Sequence, residues 1–426
     1  MRFTVKIAAL AMILAMLGCQ PSHNGSTGDA SPAIPATPSH ALTPTPVITP
    51  RLTHAYTPNL TPVATPSPTA QPTGDELLSA FMSTMTIDEK LGQLVMFGFS
   101  GTDAPSADFV EFYNEMLVGN TILYGNNISN DDSDGGFSRC KALLDDLIDA
   151  TAASERIPML ISIDVEGGGV TRLKWDKWPR HAYTLGELND SELAREQFQY
   201  IARGLLSVGI NVNLAPCIDV APSPLDTFLY KRIISSDAGI VSRIGVACMR
   251  GLLDEGCISF VKHYPGHGAT TEDSHEITPV VDKTLDELCQ YDLLPFIAAI
   301  EAGVPGVMVT HILYPQLDVN NVASTSAVLI DEILRSQLGF EGVVMSDDFR
   351  MAGLTRTMTV GEAAVSFINA GGDIILCGAR LSLQREIMQS LRSAYDSGAL
   401  TLDRIDESVR RVLQMKIDYL DWTPRV

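Results

Sequence analysis

The stretch ISFVKHYPGHGATTEDSHEITPV, residues 258–280, decides how the chain is read. It opens on a short apolar strand, Ile258 to Val261, and runs directly into Lys262-His263. Pro265, Gly266 and Gly268 end the strand, because proline cannot continue a ladder and glycine admits unusual dihedrals. A polar loop carrying Asp273-Ser274-His275 follows. A buried strand whose charge appears only at its carboxyl end belongs to a parallel sheet covered on both faces, with its chemistry in the loops beyond.

Working outward, apolar β-rich runs fall at 93–99, 119–124, 159–164, 210–219, 257–263, 304–311, 340–347 and 373–377. Amphipathic helical patterns lie between most of them, at 191–208, 235–255, 284–302 and 326–338, and Thr86 with Glu89 forms a capping box ahead of the first run. Eight such units predict an α/β fold, a closed (β/α)8 barrel of the TIM type in a single catalytic domain. The alternative, an open doubly wound sheet, calls for a glycine-rich loop after its first strand, and Phe99-Ser-Gly-Thr-Asp103 does not fit G-x-G-x-x-G.

The polar residues sort to one end of the strands. The third run closes on Asp164-Val-Glu-Gly-Gly-Gly-Val-Thr-Arg172, and the fourth on Pro216-Cys-Ile-Asp219 with Lys231-Arg232 in its loop. The fifth ends on Lys262-His263, the sixth on Thr310-His311 and the seventh on Ser346-Asp347-Asp348. Scattered surface charge would not sort this way, so a polar pocket at the barrel mouth is expected. Alternation along the seventh run places Val343, Met345 and Asp347 on one face, with Asp348 turned the other way or capping the next helix.

With 30 Lys and Arg against 51 Asp and Glu, the chain carries a net charge of −21, and the part beyond residue 73 carries −23. Such a surface repels nucleic-acid phosphates and anionic membranes. The seven cysteines, Cys19, Cys140, Cys217, Cys248, Cys257, Cys289 and Cys377, form no C-x-x-C pair, which gives zinc and thioredoxin-type chemistry no support. Cys217, Cys248 and Cys377 sit in apolar runs and read as small buried hydrophobes.

Residues 1–19 have a basic start (Arg2, Lys6), an apolar core at 7–17 and then Gly18-Cys19, the form of a secretory signal. Leu17-Gly18-Cys19 resembles a bacterial lipobox, which implies a lipid anchor through Cys19 and an extracytoplasmic, membrane-anchored lipoprotein. Residues 20–73 are Pro, Thr, Ser and Ala with almost no charge, a disordered linker reaching on the order of 150 Å if fully extended. The catalytic domain is expected over 74–426.

Lys262-His-Tyr-Pro-Gly-His-Gly268 followed by Asp273-Ser-His275 resembles the signature of glycoside hydrolase family 3, and more closely its bacterial β-N-acetylglucosaminidase (β-hexosaminidase) branch. Supporting matches are Met85-Thr-Ile-Asp-Glu-Lys-Leu-Gly-Gln93, Asp164-Val-Glu-Gly-Gly168, Thr310-His-Ile-Leu-Tyr-Pro315, Leu338-Gly-Phe-Glu-Gly-Val-Val-Met-Ser-Asp-Asp348 and Arg404-Ile-Asp-Glu-Ser-Val-Arg-Arg-Val-Leu413. The resemblance implies a retaining exo-glycosidase that removes terminal GlcNAc from peptidoglycan fragments or related glycans. Asp347 would be the nucleophile, and His275, oriented by Asp273, the acid/base. Asp164, Arg172, Arg232, Lys262 and His263 would bind the sugar. No metal or other cofactor is implied, the partner is a carbohydrate substrate, and a monomer is expected. The family usually shows Asp-Gln-Glu-Gly-Gly-Arg-Val, whereas Val165 and Gly169 here replace Gln and Arg, a loss of two polar groups from the loop. Three readings stay open beside the main one: another family 3 β-glycosidase of the β-glucosidase kind, a β-GlcNAc phosphorylase, and an inactive glycan-binding lipoprotein.

Overall fold

Alternation along short extended segments sends one set of apolar side chains inward and the other outward, and this sorting builds the protein. The computed structural model describes residues 74–129, 134–151 and 156–425; the expected signal segment 1–19 with Cys19 and the expected linker 20–73 lie outside the described residues. Eight parallel strands are present: β1 (Val95–Gly98), β2 (Asn120–Leu123), β3 (Leu160–Ile163), β4 (Val212–Asn213), β5 (Ile258–Tyr264), β6 (Gly306–Val309), β7 (Val343–Ser346) and β8 (Ile375–Cys377). Each pairs with its sequence neighbour, and β1 also pairs with β8. A bridge between Met345 and Ile374 closes the ring, where the Ser346 N–H donates to Ile374 O and the Ile374 N–H to Val344 O, both at 3.0 Å. Closure leaves no free sheet edge, so the fold is the (β/α)8 barrel and not the open sheet.

Met96, Ile122, Leu160, Val212, Ile258, Phe260, Met308, Val343, Met345 and Leu376 fill the interior, and Val412 and Met415 of the last helix (Leu402–Tyr419) join the same cluster. The outward residues pack on the surrounding helices in a second, larger core.

Helix starts follow the local chemistry. Thr86 and Glu89 make the expected capping box, Asp190 caps Ser191–Ser207, and Asp237 caps Ala238–Asp254. Three elements differ from the sequence reading. Run 210–219 yields only the two-residue β4, because the Asn213 side chain takes over pairing with the N–H and C=O of Val165 (3.0 and 2.9 Å). The single helix expected over 284–302 is two, Leu285–Gln290 and Leu294–Glu301, with Pro295, which lacks an N–H, in the first turn of the second. The run at 326–338 forms a wide-turned helix, Val328–Gln337, in which the Leu338 N–H reaches five residues back to Ile333 O at 2.9 Å. The six described cysteines are all buried, which places Cys140, Cys257 and Cys289 with the three read as hydrophobes.

The seam between β7 and β8 rests on one carboxylate. Asp373, fully buried, accepts from Val344 N–H (2.8 Å), Arg335 Nη2 (2.5 Å), Ser408 Oγ (2.7 Å) and Arg411 Nη1 (3.0 Å). Truncating one partner of a buried ion pair leaves the other charge uncompensated. Asp373→Ala is therefore expected to lower the free energy of urea unfolding by about 3–5 kcal/mol, and a loss below about 1 kcal/mol would show that the seam does not depend on it.

Candidate active site

At the carboxyl ends of the strands lies a cavity of about 610 Å³, whose lining includes Asp164, Glu166, Arg172, Arg232, Lys262, His263, His275 and Asp347. Its floor is apolar, formed by Leu214, Met308 and Leu376.

The segment after β3 stays extended, so its side chains alternate. Asp164 and Glu166 face the cavity, while Val165 turns into the outer core and is fully buried. Val165 thus takes nothing polar away from the cavity; of the two replacements, only exposed Gly169 shortens a group beside it. Lys262 Nζ, 3% exposed, binds Asp164 Oδ1 at 2.6 Å and Glu166 Oε1 at 2.7 Å. Arg232 meets Glu166 through two parallel bonds, Nε to Oε2 at 2.8 Å and Nη2 to Oε1 at 2.9 Å. Burial pushes the Glu166 carboxyl up, but Arg232 and Lys262 outweigh it and hold it well below the usual range. Burial favours the neutral amine of Lys262, and again the two carboxylates win, raising it.

Simple alternation through β5 would send only one of Lys262 and His263 inward. The register with β6 shifts between Val261 and Tyr264, and the irregularity delivers both to the cavity. His263 Nδ1 donates to Asp219 Oδ2 at 2.7 Å, which leaves Nε2 facing Arg232 Nη2 at 3.4 Å. Asp219 Oδ1 also accepts the His267 N–H at 2.6 Å. Burial opposes ionisation of Asp219, yet His263 and His267 hold its carboxyl below the ordinary range. His267 itself is pushed down to about 4, first by burial and then by His263.

Asp347, half-buried, stands at the end of β7, in line with Val343 and Met345 of the interior. Its Oδ1 accepts the Asp348 N–H at 2.8 Å. Burial raises its carboxyl, but His263, His311, that N–H and His275 together leave it lower than usual. Asp348 does not turn away or cap a helix. It lines the same cavity and accepts from Tyr124 Oη (2.6 Å), Arg350 Nη2 (2.7 Å) and Gly378 N–H (3.2 Å), which ties β2, β7 and β8 together above the floor.

The loop after β5 folds over the mouth. Gly266, at φ +143°, sits where a Cβ would press on Asp292 at 2.9 Å, and Gly268 lies directly against Val220 O, so both glycines seat the loop by close approach. Gly353 N–H donates to Ser274 O at 2.9 Å and Thr278 Oγ1 to Gly353 O at 2.9 Å. On this loop His275, its side chain 59% exposed, holds Asp273 Oδ1 through Nδ1 at 2.8 Å and turns its other nitrogen free of that pair. Asp273 supports from behind and is not part of the lining.

The residues that the sequence reading gave catalytic or sugar-binding roles all line this one cavity, Asp273 excepted. The sequence reading passed over Glu166, His267, Phe228, Arg350 and Tyr124, and it placed Asp219 and Asp348 at strand ends without giving them a role in the site. Glu166 was legible as the alternate partner of Asp164; the others depend on loop paths. One trio among the described residues, Cys217, Asp219 and His263, has ligand-type atoms within 4.8 Å of one another. Those atoms are already engaged, since Cys217 Sγ donates to Asp219 Oδ2 at 3.1 Å and burial holds its thiol protonated. What remains is a fixed carboxylate, an imidazole backed by a carboxylate, and a bank of ionised donors and acceptors around a space of sugar dimensions.

The sequence pattern described as "Glycosyl hydrolase family 3 N terminal domain" matches residues 86–415. Beta-hexosaminidase A of Pseudoalteromonas piscicida is 29% identical over 375 residues, 78% of this chain and 61% of that protein. The beta-hexosaminidase of Thiobacillus denitrificans is 32% identical over 293 residues, 65% of this chain and 76% of its own length. Among solved structures, a family 3 beta-N-acetylglucosaminidase from Paenibacillus superposes with a TM-score of 0.75 at 36% identity, covering 80% of this chain and 64% of that one. Mycobacterium tuberculosis LpqI superposes with a TM-score of 0.70 at 29% identity, covering 80% and 96%. The chain thus spans less than two thirds of the Pseudoalteromonas and Paenibacillus proteins.

The site makes stability depend on pH. Unfolded histidine takes up a proton near 6.5, whereas folded His267 does so only near 4, so unfolding gains protons and stability falls as pH drops through that interval. Buried His311 is also lowered and acts in the same direction. Below about 4.5 the depressed Glu166 and Asp219 extend the decline, because their stabilisation is present above the unfolded values and lost as pH falls through the folded ones. Urea unfolding at pH 7, 5.5 and 4 is expected to show the fall, with His267 contributing on the order of 3 kcal/mol. His267→Gln should flatten the interval from 6.5 to 4, and an unchanged slope would contradict the assignment.

Proposed function

The chain belongs to glycoside hydrolase family 3, and from that membership and the cavity geometry we propose that it is a retaining exo-β-N-acetylglucosaminidase. The observation that carries the reading is the meeting, in one cavity, of ionised Asp347 with His275 backed by Asp273. Relatives named beta-hexosaminidase support the choice of N-acetylhexosamine as the sugar.

In the first step the Asp347 carboxylate attacks the anomeric carbon while His275 gives a proton to the departing glycosidic oxygen. A glycosyl ester of Asp347 results. In the second step neutral His275 takes a proton from water, which attacks the same carbon and releases Asp347. Asp273, accepting from Nδ1, fixes the imidazole tautomer so that Nε2 is the nitrogen that exchanges the proton. Asp164, Arg172, Arg232, Lys262 and His263 hold the sugar hydroxyls, and Glu166 keeps Arg232 and Lys262 in place. The reaction needs no metal. The physiological substrate is a glycan ending in β-GlcNAc, such as a peptidoglycan fragment.

The site of action is outside the cytoplasm, with the chain tethered through lipid on Cys19. The charged flank, apolar core and Gly18-Cys19 of the first 19 residues support this, and no helix among the described residues is long and apolar enough to cross a membrane. Cys19→Ser is expected to move the protein from the membrane fraction to the soluble one; an unchanged distribution would remove the anchor.

Asp347→Asn is expected to abolish turnover of an aryl β-GlcNAc by at least about 10³-fold. His275→Ala should slow poor leaving groups far more than activated ones, because only the former need protonation. Full activity in either variant would overturn the assignment.

A further inference from the structure

On its β4 side the cavity mouth carries aromatic groups that the proposed chemistry does not use. The loop after β4 sends Phe228, Leu229 and Arg232 into the lining, while Tyr230 points outward, 48% exposed. The Phe228 ring lies 5.6 Å from His275 and 5.9 Å from His267. This loop therefore borders the proton donor, on the side from which a leaving group departs.

The rim continues through the turn after β3. Glu166 and Val170 both line the cavity, and the bridge between Gly167 and Val170 makes the intervening glycines a tight lip. Trp178 donates its indole Nε1–H to Gly168 O at 3.2 Å and leaves 54% of its surface exposed. His181 packs directly on Gly168 and lies in the field of Lys231, whose Nζ sits over the Tyr230 ring at 5.4 Å. Trp178, His181, Lys231 and Tyr230 thus form one continuous lip. Gly169, on the same turn, adds no side chain, and a Cβ there would meet nothing closer than His181 at 4.0 Å.

Large aromatics left half in water at the edge of a polar cavity are surfaces for a ligand that is itself half apolar. A β-linked pyranose is such a ligand: its axial C–H bonds make a flat apolar face, and its equatorial hydroxyls stay solvated. We propose that Tyr230 and Trp178 form a binding surface for one or two further sugars on the leaving-group side. The enzyme then takes β-linked GlcNAc oligosaccharides in preference to the disaccharide. The inference rests on the activity proposed above.

The test compares kcat/KM for 4-nitrophenyl β-GlcNAc with that for β-1,4-linked GlcNAc di-, tri- and tetrasaccharides, in the full-length protein and in Tyr230→Ala, Trp178→Ala and Tyr230→Phe. The unaltered protein is expected to gain kcat/KM from di- to tetrasaccharide. Each alanine variant should lose about 2- to 10-fold on the tetrasaccharide, the worth of one aromatic contact, and Tyr230→Phe should retain it. On the aryl substrate, which carries no second sugar, the loss should stay within about twofold. A flat dependence on chain length in the unaltered protein, or equal losses on aryl and tetrasaccharide substrates, would overturn the proposal. Absence of aryl turnover in the unaltered protein would instead remove the activity beneath it.

Discussion

A buried ammonium survives only against carboxylates, and Lys262 imposes that condition on the whole site. Its side chain is nearly sealed from solvent and is matched by Asp164 and Glu166 from the segment after β3. Glu166 in turn needs a second cation, and Arg232 reaches it from the loop after β4. The Arg232 guanidinium then faces His263, whose far nitrogen is held by Asp219. Each charge is tolerable because the next one is fixed, so the ends of β3, β4 and β5 are locked into a single polar wall. Such a wall has little freedom to reorganise when a ligand arrives, which is what electrostatic preorganisation requires.

The opposite wall is built on a different footing. Asp347 is aligned by the barrel itself, with its backbone N–H on Val309 O and its carboxylate on the Asp348 N–H. Asp348 is immobilised by Tyr124, Arg350 and Gly378, and the Arg350 guanidinium lies over the Tyr124 ring at 4.9 Å. His275, by contrast, is exposed and is carried by a loop held at its base through Ser274 and Thr278. A carboxylate fixed by the barrel thus faces an imidazole on a surface loop, and under the proposed mechanism the first would hold its line to the anomeric carbon while the second admits substrate and releases product.

Barrel closure underlies both walls. Asp373 gathers arginines from the helices after β6 and β8 onto the seam, and Lys416, buried in the last helix, binds Gln93 Oε1 at 2.6 Å and Gly119 O at 3.2 Å. These contacts hold the ring shut from below, so the carboxyl ends stay near enough to share one cavity.

The fold was legible in the sequence because a parallel strand buried on both faces must be apolar throughout, and eight such runs with charge at their carboxyl ends admit few other architectures. The alternation Val343, Met345, Asp347 likewise set the direction of the Asp347 side chain from local geometry alone. What the sequence could not decide was whatever depends on irregular backbone or on partners distant in the chain. The register shift that turns both Lys262 and His263 inward has no residue signature. Asp348 was misread as facing away because its partners, Tyr124 and Gly378, lie far along the chain. Val165 looked like a lost polar group until the extended path beyond β3 placed it in the outer core. Periodicity fixes which face a residue takes within an element; only the packed structure fixes what stands across from it.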